Sequence, residues 1–164
     1  MQADTPGPIL LAAYGTLMTG HINPISKAAR ALMGSLGPCL LTGTLYEVRE
    51  RTFVYPALVL AAAPDAPPVR AELFAIGASA AEAAIVLAET DAYENCRPGD
   101  ARRSTYLRQL VPVRYPDRGG TVQAWVYVYN RPLAGAVPIP DGYWRAPDHP
   151  VPFAAAGSTP RAEP

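Results

Sequence analysis

The helix-forming segment that opens near Ser79 runs out at Asp91-Ala92-Tyr93-Glu94, so two carboxylates and a phenol crowd its last turn. A carboxylate at a helix C-terminus lies against the negative end of the macrodipole, which raises its proton affinity and suits it to general acid/base work. Glu94 is the candidate for that role, against the plainer reading of a solvated last-turn acid. A second feature is Gly15, which ends the short apolar run from Pro8 to Tyr14. A glycine at such a strand-to-loop junction frees the neighbouring N–H groups of Gly15, Thr16 and Leu17 to face a carboxylate or a developing oxyanion. An ordinary turn needing a positive φ would leave the same trace. A third is the run Thr121 to Tyr129, where Val122, Ala124, Val126 and Val128 share one face and Gln123, Trp125, Tyr127 and Tyr129 the other. The aromatic face fits either a second core or an amphipathic pocket wall, and alternation does not choose between Tyr127 and Tyr129 as the one that meets a ligand or Glu94.

Other engines lack material. Gly15 to Gly20 has the glycine spacing of a phosphate-binding loop, but His21-Ile22 stands where Lys and Ser/Thr are required. There is no nucleophile elbow and no H-E-x-x-H, and the two histidines, His21 and His149, read as bystanders. No metal and no cofactor is expected.

These residues must be carried by a scaffold that can be read from turn signals and periodicity. The strand Pro8 to Tyr14 is followed by a helix opened by Pro24 and stopped by Gly34 and Gly37. Strands are expected over Leu40 to Arg49, Val54 to Ala62 and Val69 to Ile76, and a hairpin over Thr105 to Tyr115 and Thr121 to Tyr129. Ser79 and Glu82 form a capping box for the helix that reaches Glu94. About six strands with two inserted helices imply an α+β, β-dominated fold, a small mixed or antiparallel barrel with flanking helices. From Arg131 onward the chain is Pro-rich and aperiodic, and residues 146–164 read as a tail on a single domain spanning 1–145.

Composition agrees with one folded domain of 164 residues, with 49% hydrophobic and 17% charged residues. Fourteen basic residues balance fourteen acidic ones, so no net field recruits nucleic acid or an anionic membrane. Two cysteines, Cys39 and Cys96, are too few for a disulfide framework, and the apolar run Ile9 to Ala13 is too short for an export signal, so a cytoplasmic location is expected.

Taken in order, Tyr14-Gly15-Thr16-Leu17, Gly43-x-Leu45-Tyr46, Tyr55-Pro56-Ala57, Glu72-Leu73-Phe74, Asp91-x-Tyr93-Glu94, Tyr106-x-Arg108, Trp125-x-Tyr127-x-Tyr129 and Gly142-x-Trp144 resemble the gamma-glutamylcyclotransferase-like superfamily from about Ile9 to Arg145. The resemblance implies a barrel whose Tyr14–Leu17 loop binds the glutamyl portion of a small substrate, while Glu94 catalyses attack of the α-amine on its own γ-carbonyl, giving 5-oxoproline and a free amine. Tyr14 would form pocket wall, and Tyr127 or Tyr129 would hydrogen-bond the substrate or Glu94. The implied enzyme is a cofactor-independent monomer or weak homodimer; a non-catalytic binding module on the same fold is the alternative. The sequence departs from the family pattern after the acid, where Asn95-Cys96 and three arginines, Arg97, Arg102 and Arg103, precede Tyr106, and at Thr90, where an aliphatic residue is expected. The arginines suit a carboxylate-bearing leaving group or, more simply, a solvated charge cluster.

Overall fold

A computed structural model describes residues 7–51 and 53–145. The chain forms β1 (Leu10–Ala13), α1 (Lys27–Ala31), β2 (Met33–Leu41), β3 (Thr44–Glu50), β4 (Phe53–Val59), β5 (Val69–Ile76), α2 (Ala80–Tyr93), β6 (Tyr106–Arg114), β7 (Thr121–Tyr129) and β8 (Val137–Pro138). Five strands close a barrel in the order β1-β5-β2-β6-β7, and β4-β3-β8 make a second sheet. All pairings are antiparallel except the parallel closure of β1 on β7 at Leu11 and Trp125.

Period-two alternation builds two cores from the same strands. Ala12, Leu73, Val111, Val113, Ala124, Val126 and Val128 point into one core with Leu45, Leu58 and Trp144. Leu11, Ala13, Phe74, Ile76, Tyr106 and Tyr127 point the other way and pack with Ala83 and Val86 of α2. The aliphatic face expected of β7 packs in the first core, while of the aromatic face Tyr127 is buried in the second and Trp125 and Tyr129 are partly buried against it.

Several expected elements shift. The first helix starts only at Lys27, because the Ser26 hydroxyl caps it by accepting from the Ala29 N–H at 3.1 Å. It ends at Ala31, so Gly34 and Gly37 act not as its stop signals but within β2, where Gly37 adopts φ +98° at a break in register with β5. The single strand expected over Leu40 to Arg49 is two strands that belong to different sheets, parted at Gly43, where an added Cβ would lie 2.5 Å from the Val59 carbonyl oxygen. Beyond Asn130, β8 pairs with β3 and Trp144 is 2% exposed, so this aperiodic stretch is part of the body up to Arg145. The expected tail, 146–164, lies outside the described residues.

Candidate functional site

Where α2 stops is decided by Asn95. Its φ of +47° is the left-handed turn that ends a helix, and asparagine tolerates it better than most residues. The Asn95 N–H donates to the Ala92 carbonyl at 3.3 Å and the Cys96 N–H to the Asp91 carbonyl at 2.8 Å, the paired bonds of a Schellman ending. Glu94 is therefore the C-cap residue, as the sequence indicates. The two residues after the acid that depart from the family pattern, Asn95 and Cys96, are the ones that make this turn.

Glu94 keeps partial solvent exposure, while packed atoms around its carboxyl push its pKa up to about 8 through burial. No hydrogen bond to its carboxylate is found among the described residues, so nothing offsets the cost of ionising it. The hydroxyls of Tyr14, Tyr93, Tyr106 and Tyr127 lie close enough to feel its charge, which adds to burial in holding all four phenols protonated.

The Gly15 loop reaches the same place through two ties. Thr16 and Tyr93 share a short hydrogen bond between their hydroxyls, joining the loop to the residue before Glu94. The Tyr14 hydroxyl donates to the Tyr127 carbonyl at 2.5 Å and accepts from the Leu58 N–H at 3.4 Å. Gly15 is required here, though not for a positive φ: a Cβ would sit 2.7 Å from Cγ of Pro56. The N–H groups of Gly15, Thr16 and Leu17 donate to no protein acceptor among the described residues, which leaves three successive donors. At its far end the loop is pinned by Glu72, whose carboxylate accepts from the Thr19 N–H and hydroxyl, each at 2.7 Å, and from the Ser35 hydroxyl at 2.6 Å.

The two aromatic candidates separate. Tyr127 is buried, and its hydroxyl donates to Asp91 Oδ1 at 2.8 Å and lies 2.7 Å from Thr90 Oγ1, so of the partners left open for it, Glu94 is not one it bonds among the described residues. Asp91, one turn before Glu94, is the carboxylate that α2 presents to β7 and β6 through Tyr127 and Arg108. Tyr129 is half-buried, its ring edge-on to Tyr106 with centroids 5.5 Å apart and 6.2 Å from that of Tyr55. Thr90, where an aliphatic residue is expected, is fully buried, and its hydroxyl reaches the Val86 carbonyl at 3.0 Å as well as Tyr127.

Three participants had been given no role by sequence reasoning. Tyr106 donates to the Pro56 carbonyl at 2.6 Å and feels the charge of Glu94, and Arg108 Nε lies 3.3 Å from Asp91 Oδ1. Tyr55 brings β4 against Tyr129. Their signal was positional: Tyr106 and Arg108 fall on one face of β6, opposite Tyr129 and Tyr127. The three arginines after the acid are exposed, with Arg103 Nε 3.7 Å from Asp100 Oδ2, in keeping with the solvated charge cluster.

Two grooves of about 560 and 410 Å³ share the turn Met18-Thr19-His21, and Glu94 lines neither. The first contains Glu72, whose pKa burial raises but the Ser35 and Thr19 hydrogen bonds bring down below the usual carboxylate value. A carboxylate so saturated is an anchor, whereas the partly open Glu94 carboxylate accepts no hydrogen bond among the described residues.

No helix among the described residues is long and apolar enough to cross a membrane. Among solved structures, the chain is similar to an AIG2-like protein from Mus musculus (19% identity, TM-score 0.62, covering 87% of this chain and 91% of that one). It is also similar to protein YtfP from Escherichia coli (27% identity, TM-score 0.53, 83% and 96% covered). The allophanate hydrolase of Kluyveromyces lactis contains the fold as one part of a longer chain (14% identity, TM-score 0.51, 85% of this chain and 20% of that one). Sequence comparison with curated proteins gave no match. The family described as gamma-glutamyl cyclotransferase, AIG2-like, matches residues 11–146. With its eight-part motif order spread over the barrel, the second sheet and the end of α2, and its Asp91-x-Tyr93-Glu94 turn tied to the Tyr14–Leu17 loop, the chain belongs to the AIG2-like gamma-glutamyl cyclotransferase family.

Proposed function

We propose that the protein cyclises a gamma-glutamyl amine or gamma-glutamyl peptide, releasing 5-oxoproline and a free amine, with Glu94 as the single acid/base group. The observation that carries this reading is the Glu94 carboxyl itself, at a helix end, accepting no hydrogen bond among the described residues and with its pKa raised to about 8 by burial. A group so tuned takes a proton from the α-ammonium near neutral pH and returns one to the leaving nitrogen. Between these transfers the α-nitrogen bonds to the γ-carbonyl carbon, and the bond from that carbon to the leaving nitrogen breaks.

The N–H groups of Gly15, Thr16 and Leu17 serve the substrate carboxylate or the oxyanion of the tetrahedral intermediate. Tyr14 and Tyr127, whose hydroxyls are already engaged, form rigid wall, and Tyr129 lines the partly open side. Attack is intramolecular, so confining the glutamyl chain to a cyclising conformer supplies much of the rate, and proton transfer adds about 10²- to 10⁴-fold. The protein works in this scheme as a monomer or weak homodimer, in the cytoplasm.

Mass-spectrometric detection of 5-oxoproline from a panel of gamma-glutamyl amines and peptides tests the proposal. Release by the wild type, and its loss by at least about 10²-fold in Glu94→Gln, is the expected outcome. Silence across the panel while ligands still bind would replace this reading with a non-catalytic binding module.

A further inference from the structure

Asp91 is a buried carboxylate, and the cyclisation step gives it nothing to do. Its partners converge on it from two strands. Arg108 of β6 and Tyr127 of β7 are directly opposed in the sheet register, so their side chains emerge next to each other on one face. Both reach the same oxygen, Asp91 Oδ1: the Tyr127 hydroxyl donates to it at 2.8 Å, and Arg108 Nε lies 3.3 Å away. The guanidinium is itself held over the Trp125 ring, 5.0 Å from its centroid. Asp91 therefore grips the sheet with its side chain. Its backbone carbonyl, meanwhile, accepts the Cys96 N–H that closes the helix end around Glu94. Tyr127 carries the connection onward, because its own carbonyl accepts the Tyr14 hydroxyl, one residue before Gly15. One carboxylate thus links the turn that presents Glu94 to the strand that holds the donor loop.

We propose that Asp91, clamped by Arg108 and Tyr127, is a positioning residue that sets where the Glu94 carboxyl lies relative to the Gly15–Leu17 donors. The proposal rests on Glu94 being the acid/base group of the cyclisation. Asp91 touches no reacting atom; it acts through the last turn of α2. Helix ends fray unless tied down, and a displacement of about 1 Å at a reacting group can cost about 10²-fold in rate. A pair that served stability alone would lower the melting temperature of its variants without altering how Glu94 titrates or how catalysis divides between kcat and KM.

The test uses the full chain with Tyr127→Phe, Asp91→Asn and the double variant, and two readouts. The first is 5-oxoproline release; the second is the titration of the Glu94 carboxyl followed by 13C NMR, assigned by its loss in Glu94→Gln. Each single variant is expected to lower kcat by about 10- to 100-fold with KM changed less than about threefold, and the double variant to be no worse than the poorer single one, because the residues act as a unit. Tyr127→Phe, which removes one oxygen and no charge, is expected to move the Glu94 midpoint toward the ordinary carboxylate range by about one pH unit or more. Losses that add independently, or a Glu94 titration unchanged in variants that still melt cooperatively, would overturn the proposal. If Asp91→Asn fails to fold, Tyr127→Phe decides alone. If the wild type releases no 5-oxoproline, the cyclotransferase reading fails by itself, and the titration of Glu94 still decides the positioning role.

Discussion

Glu94 combines two properties that pull against each other. Burial lifts its pKa from an ordinary 4.5 to about 8, which tunes it for proton transfer and also costs stability. Below about pH 4.5 the carboxyl is protonated in both folded and unfolded chains and costs nothing. As pH rises the unfolded chain ionises first, so stability falls until the folded chain ionises near pH 8 and is level above that. Glu94→Gln removes this dependence. The variant is expected to match the wild type in thermal melts at pH 4 and to exceed it at pH 9 by on the order of a few kcal/mol, even as activity is lost. In the wild type, kcat/KM should rise about tenfold per pH unit below pH 8 and flatten above, as a base that must be ionised requires. Gly15 answers to a different constraint. Gly15→Ala forces a Cβ to within 2.7 Å of Pro56 Cγ, so either the loop or β4 must move. Since the Gly15–Leu17 donors move with the loop, KM for a gamma-glutamyl substrate should rise by about tenfold or more, measured against a melting temperature that shifts modestly.

The helix end is where a local backbone choice sets the geometry of the site. Asn95 in the left-handed region stops α2 one residue after Tyr93, and its side chain donates to Thr105 Oγ1 at 2.8 Å, fastening the turn to the start of β6. Replacing it with valine places a β-branched residue where such residues are strained. Asn95→Val should cost about 1–3 kcal/mol in urea unfolding and reduce turnover further than that loss explains, since Glu94 moves with the turn. Asn95→Gly, which suits the backbone, should stay within about 1 kcal/mol of the wild type. The opposite end of α2 carries a capping box, with the Ser79 hydroxyl accepting from the Glu82 N–H at 3.2 Å and the Glu82 carboxylate accepting from the Ala78 N–H at 2.6 Å. This end lies a full helix away from Glu94 and serves stability. Both signals are local; the capping box was readable from residue types alone, whereas the Asn95 turn is shown by its backbone.

Across the whole molecule, the stretch after β7 closes the core. Trp144 packs with residues of both sheets, and Gly142 before it adopts φ +63° where a Cβ would meet the Pro68 carbonyl oxygen at 2.4 Å. Trp144→Ala should cost about 3–5 kcal/mol in denaturant unfolding. Trp144→Phe should cost far less, because the buried indole Nε1 has no hydrogen-bond partner among the described residues to lose. Nothing periodic marks this segment, since β8 is two residues long and the tryptophan owes its burial to sheets formed far upstream. The same contrast runs through the site. Alternation in Thr121–Tyr129, the capping box at Ser79 and the helix end at Glu94 depend on neighbours in the chain, and so they could be read from residue order alone. The break of Leu40–Arg49 at Gly43 depends on the approach of Val59, and the need for Gly15 depends on Pro56, a partner forty-one residues away. Tyr127 could be placed on the right face of its strand, but whether its hydroxyl meets Asp91 or Glu94 depended on how α2 docks across the sheet. Sequence carries the periods of the elements and the chemistry of their ends; which buried polar groups find one another is decided by packing, because a hydrogen bond needs a partner within about 3 Å and chain order sets that distance only for near neighbours.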